Sequence, residues 1–172
     1  GQNNLPKRLK EHLYTPNKDR SVFRKHIGRS LLTRRNDPFL AAWEIDLTTR
    51  KAREQFAHKV DKLKLEEIER EVSDYVSSNF SFAVLRVDGK DDRLAAESGL
   101  LSAIAACAGC RPSPKWLGLH HPKSVIRESG LWNVLGLDKA PIEQAHLGKL
   151  LKCSLVAIEE LRRLGGKEEM HG

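Results

Sequence analysis

Arg8 and His12 are the first pair of residues whose types and spacing could do chemistry. Leu5, Leu9 and Leu13 recur every four residues around them, which predicts a short amphipathic helix. Because Arg8 and His12 are also four residues apart, one helical turn stacks them on one face, beside the leucine stripe. Arginine is a natural donor to phosphate oxygens through its planar fork of N–H groups. The pair could line a phosphate-binding cleft, although an ordinary boundary pair has the same spacing.

Glu97 is a second candidate, because it interrupts an apolar pattern. Leu94, Glu97, Leu101 and Ile104 are spaced by three, four and three residues, so a helix places them on one face. A carboxylate in a buried stripe is costly unless it finds a cation, a hydrogen-bond network or a route to water. The alternative is a slightly rotated helix in which Glu97 reaches solvent.

The pair Cys107 and Cys110, followed by His120 and His121, has a spacing that could supply zinc ligands. Cys153 is the remaining cysteine that could complete a thiolate set, and the sequence contains no second Cys-x-x-Cys. Cys107 also ends an alanine-rich helix, where small residues pack. We therefore do not expect a zinc site, and we expect a redox role even less.

The positive charge of the chain is concentrated near its beginning. The net charge is +7, and residues 1–35 carry ten Lys and Arg against Glu11 and Asp19. This segment therefore holds +8 and the rest of the chain −1. Segregated positive charge is typical of proteins that bind polyanions, although a solvated basic surface is the alternative. The residues that we predict to contact nucleic acid are Lys7, Lys10, Arg20, Arg24, Lys25 and Arg29.

Bulk composition indicates a globular protein. The chain has 172 residues, 40% of them hydrophobic and 31% charged, which suits one domain with a helical appendage. No apolar run approaches the roughly 18 residues that a membrane span needs, and no signal segment opens the chain. Three cysteines without a signal segment favour the cytoplasm. Because Met170 is the single methionine, we expect residues upstream of Gly1.

The remaining patterns predict the elements that position these residues. Helices are expected over residues 4–14, 21–33, 48–56, 63–76, 91–107 and 142–164, with Asp91 or Asp92 capping the fifth. Residues 109–122 should form a loop, and residues 39–47 should end in a strand. Residues 81–87 are apolar at nearly every position, which indicates a central strand covered on both faces. We therefore predict an α+β fold: a small mixed or antiparallel sheet centred near residues 81–87, flanked by helices, with an added C-terminal helix.

The order of these features resembles the GIY-YIG nuclease superfamily. Gly1-Gln2-Asn3-Asn4-Leu5-Pro6-Lys7-Arg8-Leu9 is similar to the end of a Tyr-Ile-Gly motif followed by the helix that carries the family arginine. The spacing of Arg8 and His12 resembles that of the restriction-enzyme branch, and Glu97 follows on a later helix. The stretch 116–133 resembles the tail of a bacterial subgroup. The resemblance covers residues 1–137 in dispersed pieces, which leaves residues 138–172 as a C-terminal helical extension.

The resemblance implies a divalent-metal-dependent endonuclease that hydrolyses DNA, with RNA as the other possible substrate. Arg8 would stabilise charge on the scissile phosphate, His12 would assist proton movement, and Glu97 would hold one Mg²⁺ or Mn²⁺ ion. The two family tyrosines would precede Gly1, and Tyr14 and Tyr75 do not occupy their positions. We therefore expect this chain to bind nucleic acid but to cleave it weakly or not at all.

Two other functions fit the same sequence. A non-catalytic nucleic-acid-binding module would use the same basic helices without cleavage. A helical interaction protein would instead use residues 142–164 to bind a partner helix. The sequence leaves the oligomeric state open, and it does not separate DNA from RNA as the bound polymer.

Overall fold

The structure, a computed structural model, describes residues 5–81 and 87–148, and every regular element in these ranges is a helix. The α-helices are α1 (Leu5–Leu13), α2 (Val22–Arg34), α3 (Leu40–Trp43), α4 (Arg50–Phe56), α5 (Lys62–Asn79), α6 (Lys90–Ala106) and α7 (Ser124–Ser129). Short 3₁₀ helices span Ala57–Lys59 and Leu117–His120. Residues 144–148 are also helical. No helix in the described ranges is long and apolar enough to span a membrane.

The predicted α+β fold is wrong, because residues 5–81 and 87–148 contain no strand. The strand expected within residues 39–47 is replaced by α3 and a following loop. Asp37 accepts the Phe39 backbone N–H at 2.9 Å, and Phe39 is the N-cap residue of α3. The predicted central strand at 81–87 falls on residues 82–86, which lie outside the described residues, as does most of the predicted C-terminal helix.

The predicted helices that became α1, α2, α4 and α5 are confirmed, and side-chain caps explain where three of them begin. Ser21 accepts the backbone N–H of Arg24 at the start of α2, Thr49 caps α4, and Asp61 caps α5. The helix predicted over 91–107 is α6, but its cap was predicted wrongly. Gly89, with a φ of 86°, occupies the cap position, and the two aspartates lie in the first turn, where negative charge favours the helix dipole.

The chain divides into two compact units, neither of which is continuous in sequence. The first unit contains α1 to α5, both 3₁₀ helices and α7. Its core is formed where α2 packs against α3, α5 and the 3₁₀ helix at 117–120. The core residues are Ile27, Leu31, Leu32, Trp43, Ile68, Val72, Val76 and Leu117.

The second unit contains α6 and the described residues 135–148. Gly99 of α6 lies against Ile142: a Cβ on Gly99 would lie 3.0 Å from the Ile142 Cβ. The Ser102 hydroxyl donates to the Lys139 carbonyl. The surface of α6 that packs against residues 139–142 is therefore formed by small residues. The domain boundary at residue 137 stays a prediction.

Within the first unit, α2 and α3 approach closely at Gly28. A Cβ built on Gly28 would lie 2.2 Å from Cζ2 of Trp43, so the indole occupies the space of the missing side chain. Trp43 is fully buried, and its Nε1–H donates to the Lys25 carbonyl at 3.1 Å. This contact holds the short helix α3 against α2.

Candidate functional site

Helix α1 brings two of the predicted site residues together, Arg8 and His12. The Arg8 side chain is exposed and His12 is half-buried. The Nδ1 atom of His12 lies 2.7 Å from Oγ of Ser21, the residue that caps α2. The imidazole also meets the Phe23 ring edge-on, with 6.4 Å between ring centroids. Both contacts tie α1 to the beginning of α2 and fix the plane of the imidazole.

The hydrogen bonds of Ser21 indicate which His12 nitrogen carries the proton. Ser21 is buried, and in the described ranges its Oγ has two partners, the Arg24 backbone N–H and His12 Nδ1. The first is a donor, so the hydroxyl proton of Ser21 finds its acceptor in Nδ1. Neutral His12 then carries its proton on Nε2. Burial lowers the pKa of His12, and the nearby Arg8 lowers it further, against a raising effect of Glu11. The ring is therefore neutral at pH 7.

Three of the six basic residues predicted to contact nucleic acid are exposed: Lys7, Lys10 and Arg20. The other three, on α2, are held by acidic partners within the protein. Arg24 has 0% exposure, and its guanidinium donates to the Glu69 carboxylate from Nη2 at 2.8 Å and from Nε at 3.2 Å. The same Nη2 donates to the Ser73 hydroxyl at 2.7 Å. Arg24 is therefore a core residue in this structure.

Arg29 and Lys25 are also neutralised internally. The Arg29 guanidinium binds both carboxylate oxygens of Glu44, at 2.5 and 2.6 Å, and this pairing lowers the pKa of Glu44. Lys25 donates to the Glu44 carbonyl at 3.2 Å and lies 3.8 Å from the Asp19 carboxylate. The basic face predicted on α2 is thus an internal ion-pair network.

Glu97 is exposed, so of the two alternatives the structure has the one in which the helix is rotated and Glu97 reaches solvent. Leu94 and Ile104, expected on the same buried face, are 53% and 40% exposed. The side of α6 that packs instead carries Ala96, Gly99 and Ser102, because small residues allow the chain near Ile142 to approach. Glu97 belongs to the second unit, whereas Arg8 and His12 belong to the first.

Within residues 5–81 and 87–148, no group of three or more His, Cys, Asp and Glu could hold a metal ion. Among these described residues, a divalent ion near Glu97 would therefore take at most two side-chain ligands of these types and fill its other positions with water and phosphate oxygens. This donor set fits Mg²⁺, which keeps several waters and commonly binds through one or two carboxylates together with substrate phosphates.

A buried histidine pair was not foreseen in the sequence. His26 and His121 are each 1% exposed, with 2.8 Å between His26 Nδ1 and His121 Nε2. The Lys123 backbone N–H donates to His121 Nδ1 at 2.9 Å, so the proton of neutral His121 is on Nε2 and is donated to His26. Arg29 approaches the same His26 nitrogen at 3.1 Å. Burial lowers the pKa of each histidine to about 4.

Comparison with known proteins identifies the family. A search of curated proteins and a search of solved structures gave no match. A sequence model described as the GIY-YIG domain matches residues 1–155, which confirms the resemblance seen in the sequence. This match indicates a nuclease-type function and a nucleic-acid substrate. The family fold includes a sheet, whereas the described residues are helical. The match spans most of the sequence, and the chain therefore belongs to the GIY-YIG domain family.

Proposed function

We propose that this protein is a GIY-YIG-type endonuclease that hydrolyses DNA phosphodiester bonds with the help of one divalent metal ion. The observation that carries the proposal, beside family membership, is the arrangement on α1. There an exposed guanidinium, Arg8, stands one turn from an imidazole, His12, whose ring is fixed by Ser21 at 2.7 Å. Phosphoryl transfer depends mainly on positioning and charge neutralisation, and such a pair can supply both.

Arg8 would bind the scissile phosphate, because a guanidinium donates two N–H groups to phosphate oxygens and stabilises the charge that develops there. His12, in the tautomer with a proton on Nε2, would donate a hydrogen bond to a phosphate oxygen. Loss of the Nε2 proton to solvent and uptake of a proton from solvent at Nδ1 would free the Nε2 lone pair and reverse the hydrogen bond to Ser21. The ring could then accept a proton from the attacking water while Nδ1–H donates to Ser21 Oγ.

Glu97 is the residue that we propose to hold Mg²⁺ or Mn²⁺. Its exposure leaves the carboxylate accessible to a hydrated ion. Such an ion supplies charge neutralisation at the phosphate oxygens.

Nicking of supercoiled plasmid DNA with and without Mg²⁺ tests the proposal. We expect slow Mg²⁺-dependent nicking by the wild-type chain, loss of nicking in Glu97→Ala, and no change in Glu143→Ala. Glu143 is a matched control, because it is an exposed glutamate of the same unit. Both variants should bind DNA as the wild type does, since neither change touches the basic residues.

Two results would contradict the proposal. Equal nicking by the wild type and Glu97→Ala would remove Glu97 from the reaction. Absence of nicking by every form, together with salt-sensitive DNA binding, would instead support the non-catalytic nucleic-acid-binding module.

A further inference from the structure

The first unit contains a cleft of about 750 Å³ beside the end of α1. Its walls are the loop at residues 16–20, residues 47–48, Arg53 of α4 and one face of α5 between residues 63 and 70. Small-molecule sites typically have volumes of roughly 300–1,000 Å³. The cleft is therefore large enough for a nucleotide rather than for a single phosphate ion.

The charges along the cleft favour an anion. Two acidic residues of its wall are already neutralised: Asp19 accepts from Lys18 Nζ at 2.6 Å, and Glu69 pairs with Arg24. Arg20 and Arg70 are exposed, and within the described ranges neither guanidinium has a hydrogen-bond partner. These two cations are available to phosphate oxygens, against one exposed carboxylate of the wall, Glu66.

A third guanidinium in the cleft is held in place by the backbone. Arg53 donates from Nη1 to the carbonyls of Leu47 and Thr48, at 3.0 and 2.7 Å. These bonds orient the guanidinium before any ligand arrives, which lowers the entropic cost of binding. The loop at residues 16–20 is fixed in turn, because the Lys18 backbone N–H donates to the buried Glu69 carboxylate and Lys18 Nζ donates to the Ile45 carbonyl at 2.6 Å.

The cleft also offers an apolar surface. Leu47, Leu63 and Leu65 line it, and Leu63 is 78% exposed although it belongs to α5. Guanidinium groups beside leucine side chains suit a ligand with a charged part and a flat apolar part. A nucleotide has both, since every base presents an apolar face next to its phosphate.

We propose that this cleft binds a nucleotide of the nucleic-acid substrate next to the scissile phosphate, with Arg20 and Arg70 on the backbone and Leu63 against the base. The inference rests on the proposed function for its substrate class. The position supports it, because Arg20 directly precedes Ser21, whose hydroxyl contacts His12 at 2.7 Å. A strand whose phosphate lies at Arg8 and His12 can therefore continue past Arg20 into the cleft.

Binding of a fluorescently labelled single-stranded DNA oligonucleotide to the full chain tests this site. We expect the double variant Arg20→Ala/Arg70→Ala to weaken binding about tenfold, since two solvent-exposed ionic contacts are lost. The slope of log affinity against log salt should fall by about 1.4, because each phosphate contact with a single strand contributes about 0.7. The control is Arg34→Ala/Lys51→Ala, which removes two exposed positive charges outside the cleft and should leave the slope unchanged.

The apolar half of the site has its own test. Leu63→Ser should weaken binding of the oligonucleotide about fivefold, because the lost apolar contact between the leucine and a base is worth roughly 1 kcal/mol. The same variant should bind an oligonucleotide with abasic residues as the wild type does. The folded state should tolerate the change, since Leu63 is already exposed.

The outcomes separate this site from the proposed nuclease activity. Wild-type affinity and salt slope in Arg20→Ala/Arg70→Ala would overturn the cleft proposal, even if nicking still depends on Glu97. If Arg20→Ala/Arg70→Ala binds DNA more weakly and the wild type does not nick plasmid DNA, the cleft proposal is supported and the nuclease proposal is refuted. A control variant that loses as much affinity as Arg20→Ala/Arg70→Ala would also overturn the cleft, because the effect would then follow total charge.

Discussion

The imidazoles of His26 and His121 meet in the interior of the first unit, and the proton of His121 Nε2 lies between them in a 2.8 Å contact. His26 Nδ1 accepts this proton and also faces the Arg29 guanidinium at 3.1 Å. The His26 proton must then be on Nε2, a buried atom that finds no acceptor among the described residues. These hydrogen bonds require two neutral rings. A further proton on either ring would be buried and would face the other imidazole and the Arg29 guanidinium.

We expect this pair to make the protein acid-sensitive. The pKa of each histidine is about 4 in the folded protein, below the ordinary 6.5, so the unfolded chain binds more protons between these values. The stabilising contribution is therefore fully present above pH 6.5 and is lost as the pH falls towards 4, at a cost on the order of 3 kcal/mol for each ring. Urea denaturation at several pH values measures this loss.

A variant pair identifies the source of the acid sensitivity. His121→Gln keeps an N–H donor but does not titrate, so its unfolding free energy should depend less on pH between 6.5 and 4. His58→Gln is the control, because His58 is exposed, and it should behave like the wild type. An unchanged pH profile in His121→Gln would contradict the prediction.

Breaking the buried ion pair of Arg24 and Glu69 should destabilise the first unit. Glu69→Gln leaves the Arg24 cation buried without a counter-charge, so we expect a loss of about 3–5 kcal/mol in the free energy of unfolding. Chemical denaturation measures it. The matched control is Glu54→Gln, whose partner Arg50 is exposed on α4. That change should have little effect, because surface ion pairs contribute little. Equal stability of Glu69→Gln and the wild type would refute this role.

Glu69 also shows how much of the structure can be predicted from the sequence. Glu69, Val72 and Val76 are spaced by three and four residues, the same pattern of a carboxylate in an apolar stripe that was noticed at Glu97. The structure buries Glu69 and exposes Glu97. Periodicity locates the helix in both cases, but the buried face depends on the partner. Arg24 neutralises Glu69, whereas α6 packs through Gly99 and its small neighbours.

The basic segment at residues 1–35 shows that charge patterns have the same limit: they do not reveal which side chains are paired inside the protein. The numbers of basic and acidic residues in 1–35 correctly locate an excess of positive charge. Arg24 and Arg29, however, form ion pairs with Glu69 and Glu44 inside the protein. These acidic partners are 45 and 15 residues further along the chain, and no local pattern pairs them. The helix boundaries of α2, which depend on the local cap Ser21, were predictable. The side chains that stay free for a ligand were not.

Gly28→Ala should disrupt the contact between α2 and α3. The new methyl group would lie 2.2 Å from Trp43 Cζ2, so the indole must move out of a fully buried position. We expect a loss of about 1–3 kcal/mol, as for other overpacked cores, and a red shift of tryptophan fluorescence. Gly109→Ala is the control, since the nearest atom to its new methyl group is Cys107 Sγ at 3.9 Å. A native spectrum and melting temperature in Gly28→Ala would show that Trp43 has room to adjust.

Arg8→Gln should raise the pKa of His12. Burial is the larger cause of the lowered pKa and remains in this variant, but the repulsion between the Arg8 charge and the imidazolium is removed. NMR titration of the ring measures the change, and ring ¹⁵N shifts in the wild type should report a proton on Nε2, as the Ser21 hydrogen bond requires. Lys10→Gln removes the same charge from the same helix and should leave the His12 pKa near its wild-type value. If both variants shift it equally, the effect comes from the total charge of α1 and not from the Arg8–His12 pair. A lower pKa in Arg8→Gln would contradict the electrostatic coupling on which the proposed roles of both residues depend.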